Sequence, residues 1–217
     1  GVKNGSIVNI EQTMKVIGSV IGEAEVQAGT EISSVIIGIG GDQIKGIKSN
    51  GVVGINSKDQ EITKDAIRRS IDVARNIQLP QNTEILHSLV QDFYVDSRSG
   101  IKDPVDMLGH RLDTKILLVL GSSPIIQNQK KCVYKTGLQI QKVVFQTLAD
   151  SEVVLSPEEK DMGVILIDIG SGSTNYIAYS SGAPVHVGGI NRGSDLVTSD
   201  IAYLFQLPKA AAESLKL

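Results

Sequence analysis

Residues 164–175 read Val-Ile-Leu-Ile-Asp-Ile-Gly-Ser-Gly-Ser-Thr-Asn, an apolar strand that runs into a carboxylate and then into a turn of small residues. Asp168 lies at the end of this predicted strand, where its oxygens could hold a hydrated Mg²⁺. Gly170 and Gly172 let the backbone approach a ligand closely, and successive N–H groups in such a turn form an anion nest. Three hydroxyl side chains add donors for phosphate oxygens: Ser171, Ser173 and Thr174. An ordinary Gly-Ser hairpin turn is the alternative interpretation.

The composition is that of a soluble globular protein. Of the 217 residues, 41% are hydrophobic and 21% are charged, and the net charge of −3 argues against a nucleic-acid-binding surface. Aromatic residues make up only 4%, without Trp, which disfavours base stacking. The single cysteine, Cys132, excludes an intrachain disulfide and is expected to pack within a helix. No apolar run reaches the roughly 18 residues of a membrane-spanning helix, so the chain is predicted to be cytoplasmic.

The first part of the chain predicts a helix and then a strand of an α/β layer. Residues 10–28 follow helical spacing, and Asn9 is placed to cap this helix. Gly18 and Gly22 lie inside the helix, where we expect them to mark close packing on a sheet. Residues 34–40 form a short apolar run that is typical of a buried strand.

From about residue 42, the pattern changes to that of a smaller α+β unit. Its predicted strands are residues 44–47, 52–55, 84–95 and 111–120. Thr63 is a predicted N-cap for a helix between them, and Ser99-Gly100 is a turn signal. The unit ends at Gly121, and we expect it to be an insertion in the first layer.

The rest of the chain returns to alternating helices and strands. Predicted helices begin at Ser123 and at residue 148, with a short strand at 143–145 between them. Residues 156–161 form a polar connector that is typical of a domain boundary. After residues 164–175, the pattern predicts two more strands and a helix, at residues 176–180, 185–188 and from 193 onward.

Two further places could carry chemistry. Gln146 follows a short strand and precedes a helix, where a side-chain amide can orient a water against a phosphate; a capping or surface Gln is the alternative. Glu213 and Lys216 are three residues apart on a predicted helix and share a face, so they form either a surface ion pair or part of a nucleoside pocket. The three histidines lack zinc spacing and are expected to be structural: His87, His110 and His186.

The order of strand, Asp168, Gly-Ser turn, two strands and a helix that begins near Gly193 resembles the second phosphate loop of the actin/Hsp70/sugar-kinase ATPases. Within that superfamily, the chain resembles the FtsA family of bacterial cell-division proteins. The residues that carry this resemblance span the whole chain, at 1–5, 84–96, 109–112, 197–203 and the block Gly100-Ile101-Lys102-Asp103-Pro104.

The resemblance implies an α/β, actin-like (ribonuclease H-like) ATPase core with an inserted α+β subdomain. Residues 1–41 and 122–162 would form subdomain 1A, residues 42–121 the inserted, SHS2-like subdomain 1C, and residues 163–217 the start of subdomain 2A. Because the sequence starts without Met and stops within a predicted helix, we expect an internal segment of a longer protein, with the first phosphate loop upstream.

The resemblance also implies ATP and Mg²⁺ as cofactors and assigns roles to residues. Asp168 would lie on the Mg²⁺ side of the triphosphate, Asn175 would reach the metal through water, and Gln146 would orient the attacking water. The other nucleotide contacts would come from Gly170, Ser171, Gly172, Ser173, Thr174, Gly193, Glu213 and Lys216. Many superfamily members have aspartate at position 175. The amide of Asn175 lacks that charge, so we expect ATP binding with weak or no hydrolysis.

The implied function is that of an adaptor in cell division. Such a protein polymerises head to tail and tethers FtsZ filaments to the cytoplasmic face of the inner membrane at the septum, through a C-terminal helix that this sequence does not contain. The inserted subdomain would contact the next subunit, FtsN and other division proteins, and no nucleic acid is expected. A sugar or metabolite kinase and a PilM-like pilus-assembly ATPase are the alternatives on the same fold, and the Gly-Ile-Lys-Asp-Pro block favours the FtsA family.

Overall fold

The computed structural model describes residues 1–3, 5–57 and 59–217, and its elements follow in chain order. The strands are β1 (Val2–Lys3), β2 (Ser6–Ile7), β3 (Ser34–Ile39), β4 (Lys45–Gly54), β5 (Thr83–Val95), β6 (Arg98–Ile101), β7 (Arg111–Ser122), β8 (Gln139–Phe145), β9 (Val164–Ile169), β10 (Thr174–Ser180) and β11 (Ala183–Ile190). The helices are α1 (Ile10–Ala28), α2 (Lys64–Arg75), α3 (Ser123–Lys135), α4 (Gln146–Val154), α5 (Pro157–Met162), α6 (Asp195–Phe205) and α7 (Lys209–Lys216).

The main sheet has seven strands in the order β6-β5-β7-β4-β11-β10-β9, and all their pairings are antiparallel. The strands of the predicted insert, β4 to β7, therefore lie in one sheet with β9 to β11. A single residue pair, Gly188 with Lys45, joins the two groups. β3 and β8 pair in parallel beside this sheet, and β1 pairs with β2.

β7 is an interior strand of this sheet, between β5 and β4, and its apolar run is buried on both faces. Leu117 and Val119 point into a core shared with β3, β8, β10 and β11, whereas Ile116, Leu118 and Leu120 point to the face that α2 covers. Successive side chains of a strand alternate between faces, so a strand buried on both sides needs apolar residues at every position. The unbroken run of residues 116–120 meets this requirement, and the predicted strand is confirmed.

The shared core is the packing that brings the two β layers together. It contains buried side chains from the parallel pair and from both groups of the main sheet: Ile39, Ile44, Leu117, Val119, Ile126, Phe145, Ile177, Tyr179 and Val187. Cys132, also buried, lies on α3 and is a packing residue as expected. Burial raises the pKa of its thiol.

In the described part of the chain, no helix has both the length and the apolarity needed to cross a bilayer.

The helix caps are confirmed. The Asn9 side chain accepts a hydrogen bond from Gln12 N at 3.0 Å, and Gly29 ends α1 with φ of 65°. Thr63 caps α2 in the same way through Ala66 N. The prediction that the glycines within α1 mark close packing was wrong, because a Cβ on Gly18 or Gly22 would meet nothing within 4 Å. They do not mark close packing.

Three local predictions were wrong. Residues 44–47 and 52–55 belong to one continuous strand, β4, since its pairing with β7 runs unbroken through Asn50 and Gly51. The turn expected at Ser99-Gly100 lies three residues earlier, at Asp96-Ser97, where φ values of 48° and 73° suit a tight hairpin. The polar connector is a short helix, α5, whose Ser156 and Glu159 form a capping box.

Gly51 determines how closely α2 packs on β4. A Cβ there would collide with Ser70 O and would lie 2.6 Å from Ala74 N. We expect Gly51→Ala to lower the free energy of unfolding by about 1 to 3 kcal/mol, because the helix must move away from the sheet. Urea denaturation measures this change. Gly54→Ala on the same strand is the control, since the nearest atom to its Cβ is 3.7 Å away, and equal losses in the two variants would contradict the packing argument.

Candidate functional site

The 170–173 turn joins β9 to β10, with Ile169 opposite Thr174 in the register. Gly170 N donates to Ser173 O at 2.9 Å, which closes the turn. Among the residues that the structure describes, no acceptor takes the backbone N–H of Ser171, Gly172 or Ser173, and the two serine hydroxyls are also without partners. The turn therefore presents three backbone N–H groups and two hydroxyls that are available to a ligand.

The N-terminus of α6 packs against the other side of this turn. Ser194 N donates to Gly170 O and Asp195 N donates to Ser171 O, each at 2.9 Å. Only glycine fits at position 193, since a Cβ there would lie 2.5 Å from Ser171 O. The helix N-terminus thus occupies the carbonyls of Gly170 and Ser171, while the N–H groups of residues 171–173 have no acceptor among the described residues. Gly193 is at the helix start, as predicted, and acts there through its small size.

Asp168 is half-buried near the end of β9. Its negative charge acts on a second carboxylate, Asp150, which the sequence did not single out. Loss of solvation and the negative charge of Asp168 raise the pKa of Asp150, on α4. Asp150 follows Gln146 by four residues, so both lie on one face of α4. This four-residue spacing could have pointed to Asp150 from the sequence, although the sequence does not show which face of the helix meets β9.

Gln146 is the first residue of α4, and its side chain runs along β3. A Cβ on Gly38 would lie 3.6 Å from Gln146 Oε1, so the glycine leaves room for the amide. Gln146 itself is exposed. Gln146 directly follows a strand, as predicted, but it is already part of the helix, which begins two residues before the predicted start at residue 148. Its role with water remains a prediction.

Asn175 ties the site to the start of the predicted insert. Its side chain is 4% exposed, and its Oδ1 accepts a hydrogen bond from Gly41 N at 2.6 Å. Glycines on either side make room for the amide, because a Cβ on Gly40 or on Gly189 would lie 2.7 Å from one of its polar atoms. The remaining Nδ2 group can donate to a metal-bound water, but it cannot bind a cation.

Glu213 and Lys216 form the predicted pair and close a network around a buried hydroxyl. Lys216 Nζ lies 2.8 Å from Glu213 Oε1 and donates to Thr198 Oγ1 at 3.0 Å. Thr198, which is fully buried on α6, donates to the other oxygen of Glu213. The hydrogen bonds from Lys216 and Thr198 lower the pKa of Glu213. Because Thr198 is four residues after Ser194, the network lies about one helical turn from the 170–173 turn.

The hydroxyl of Thr174 is the exception among the predicted donors, since it already donates to Arg192 O at 2.8 Å. Its oxygen can still accept.

Within residues 1–3, 5–57 and 59–217, no group of three or more His, Cys, Asp or Glu could hold a metal ion. Of the three histidines, His87 accepts a hydrogen bond from Phe145 N, as expected of a structural histidine. The other two are exposed: His186 lies 3.3 Å from the Tyr176 hydroxyl, and His110 Nδ1 lies 3.5 Å from Asp96 Oδ2.

The Asp150 and Asp168 carboxylates are expected to repel each other in the folded protein. A pKa raised by folding means that the Asp150 charge opposes folding above the ordinary value of 3.8 and has no such effect well below it. Asp150→Asn should therefore stabilise the protein at pH 7, by no more than about 1 kcal/mol after solvent screening. Urea denaturation at pH 7 and again near pH 4 should show the gain shrinking.

Asp72→Asn serves as the control for this variant, since Asp72 is exposed on α2. If Asp150→Asn gives no gain over this control at pH 7, the Asp150 charge does not oppose folding and the two carboxylates do not repel each other.

Comparison with known proteins supports the same fold and family. A family model described as "SHS2 domain inserted in FTSA" matches residues 41–120, and one described as "Cell division protein FtsA" matches residues 165–217. FtsA of Borreliella burgdorferi is 40% identical over 217 residues and FtsA of Neisseria meningitidis is 38% identical, with 100% of this chain and 52% of each relative covered. The chain thus spans about half the length of the curated relatives it matches.

A solved structure confirms the predicted actin-like fold. The "PilM-PilN type IV pilus biogenesis complex" has a TM-score of 0.64 at 16% sequence identity, with 99% of this chain and 58% of that chain covered. At this identity the likeness concerns the fold alone, and so it does not favour the pilus-assembly alternative. The family assignment rests on the sequence matches, which extend over the whole chain: it belongs to the FtsA family of cell-division proteins.

Proposed function

We propose that this chain carries one wall of an ATP site in an actin-like cell-division protein. The observation that carries the proposal is the 170–173 turn, whose three N–H groups and two hydroxyls have no partner among the described residues. Donors without acceptors are typical of a phosphate site, because a triphosphate supplies only acceptors and negative charge. An ordinary hairpin turn would leave such groups to water alone.

The residues around the turn fit MgATP. The β- and γ-phosphates would lie on Ser171, Gly172 and Ser173, and Asp168 would hold Mg²⁺ through one or two of its waters. Mg²⁺ keeps several waters and needs few carboxylates when phosphates share the ion, so Asp168, with the Asp150 charge near it, would suffice. When bound, the ion neutralises phosphate charge and relieves the repulsion between these two carboxylates.

The nucleoside would extend from the turn along α6 toward Glu213 and Lys216. The pair lies one turn from the N-terminus of α6, and it is held in place by the buried Thr198 hydroxyl. A carboxylate of this kind accepts hydrogen bonds from ribose hydroxyls. Gly193 would serve the same site by allowing α6 to approach the turn.

Weak or absent hydrolysis follows from Asn175 in this proposal. Its amide oxygen is bound to Gly41 N, and an amide carries no charge with which to draw a proton from water. Gln146 would orient water without activating it as a base does. The protein would therefore use ATP mainly as a ligand that closes the site.

The proposed cellular role is that of the FtsA adaptor. ATP-bound subunits would polymerise and hold FtsZ filaments at the cytoplasmic face of the membrane during septum formation. Residues 42–121 would be the inserted subdomain 1C, a contact for the next subunit and for FtsN, between the 1A segments 1–41 and 122–162, with 163–217 as the start of 2A. The family-model match at residues 41–120 supports these bounds, and the names of the relatives support a role in division.

Gly193→Ala tests the nucleotide site. The added methyl would push the 170–173 turn away from α6, so we expect the Kd for MgATP in the intact protein to rise at least about tenfold, which corresponds to about 1.4 kcal/mol. Isothermal titration calorimetry measures this. Pelleting of the intact protein with FtsZ filaments on lipid vesicles should fall in parallel when ATP is present.

Gly22→Ala is the matched control, because a Cβ there meets nothing within 4 Å. If the wild-type protein shows no affinity for MgATP, or if both variants bind it equally well, the proposal is wrong.

Asn175→Asp tests the account of slow hydrolysis. A carboxylate at this position still accepts the hydrogen bond from Gly41 N and adds a negative charge next to the metal-bound water. We expect phosphate release to rise several-fold under saturating MgATP, with binding retained. Unchanged turnover at full occupancy would show that the amide is not what limits hydrolysis.

A further inference from the structure

His87 closes an open edge of the layer that carries Gln146. Strand β8 pairs with β3 along one edge, and no strand in the described part of the chain pairs with its other edge. There, Phe145 N donates to Nε2 of His87 at 2.8 Å. His87 lies on β5, within the predicted insert. A side chain of the insert thus supplies the acceptor that a neighbouring strand would supply elsewhere in a sheet.

The hydrogen bond fixes the protonation of His87. Nε2 can accept only when it carries no proton, so the ring must be neutral with its hydrogen on Nδ1. Burial and the positive charge of Lys142, on β8, both lower the pKa of His87. The ring is therefore held in the accepting form at neutral pH, and protonation would set two N–H groups against each other.

The accepted N–H belongs to the residue that begins α4. Phe145 is the N-cap residue of this helix, and no side chain caps the helix there. Its ring is fully buried in the shared core, so its side chain and its backbone are each held by a separate contact. Gln146 follows directly, with its side chain along Gly38 on β3.

We propose that His87 is a positioning residue for Gln146. By holding the N–H of Phe145, the imidazole sets where α4 begins and thereby directs the Gln146 amide along β3. The positioning role rests on the proposed function in one respect, namely that Gln146 orients water for a nucleotide. Loss of the bond frees the first turn of α4, and the insert then no longer controls that amide.

Two substitutions that both remove the ring separate this role from packing. In His87→Gln, the amide oxygen reaches about as far as Nε2 and cannot be protonated. In His87→Asn, the oxygen reaches only as far as Nδ1 and misses Phe145. Amide hydrogen exchange of the intact protein should show Phe145 N–H protected in the wild type and in His87→Gln, and exchanging at least tenfold faster in His87→Asn.

The side-chain NH₂ signals of Gln146 in NMR report its orientation without any nucleotide. They should shift in His87→Asn and return to the wild-type position in His87→Gln. As the pH falls through the titration of His87, they should move in the wild type and stay in place in His87→Gln. A role confined to packing would affect both variants alike.

Each unfavourable result has a distinct meaning. Equal protection of Phe145 in the two variants, or Gln146 signals that are the same in both, would overturn the positioning role. A wild-type protein that does not bind MgATP would overturn the proposed function, while the exchange and NMR results would still decide how α4 is held.

Discussion

The site depends on an imbalance of hydrogen-bonding groups in the 170–173 turn. Its carbonyls at Gly170, Ser171 and Ser173 are all bonded within the protein, two of them by the N-terminus of α6. Its amides at 171, 172 and 173 are free in the part of the chain that the structure describes. A turn whose acceptors are occupied and whose donors are available has a positive local potential. That property, rather than a charged side chain, makes the turn suited to phosphate.

The β10–β11 hairpin that follows this turn is tied to the preceding part of the chain by contacts that are distant in sequence. Asn175, near the start of β10, binds Gly41 N in the loop between β3 and β4, and Lys102 binds Ser181 O in the turn between β10 and β11. Gln91 Nε2 adds a third link through Pro184 O at 2.7 Å. Lys102 belongs to the Gly-Ile-Lys-Asp-Pro block, so this motif joins the insert to the β10–β11 hairpin.

Local patterns predicted the parts of this fold that depend on neighbours in sequence. The apolar run of β7, the cap at Asn9 and the strand before Asp168 could all be read from spacing, because their partners lie within a few residues or a whole face is buried. The contacts that build the site could not be predicted from spacing, because Asn175 and Gly41 are 134 positions apart and His87 and Phe145 are 58 apart. Asp150 was missed since its effect depends on which helix face meets β9. The capping box at Ser156 was local and visible, but its polar residues suggested a linker.

Amide hydrogen exchange at Ser171, Gly172 and Ser173 in the intact protein, with and without MgATP, tests whether the turn holds phosphate. MgATP should slow exchange at these three positions, adenosine should not, and the already bonded amides of Ser194 and Asp195 should change little. Equal exchange at the three positions in the presence and absence of MgATP would show that the turn does not hold phosphate.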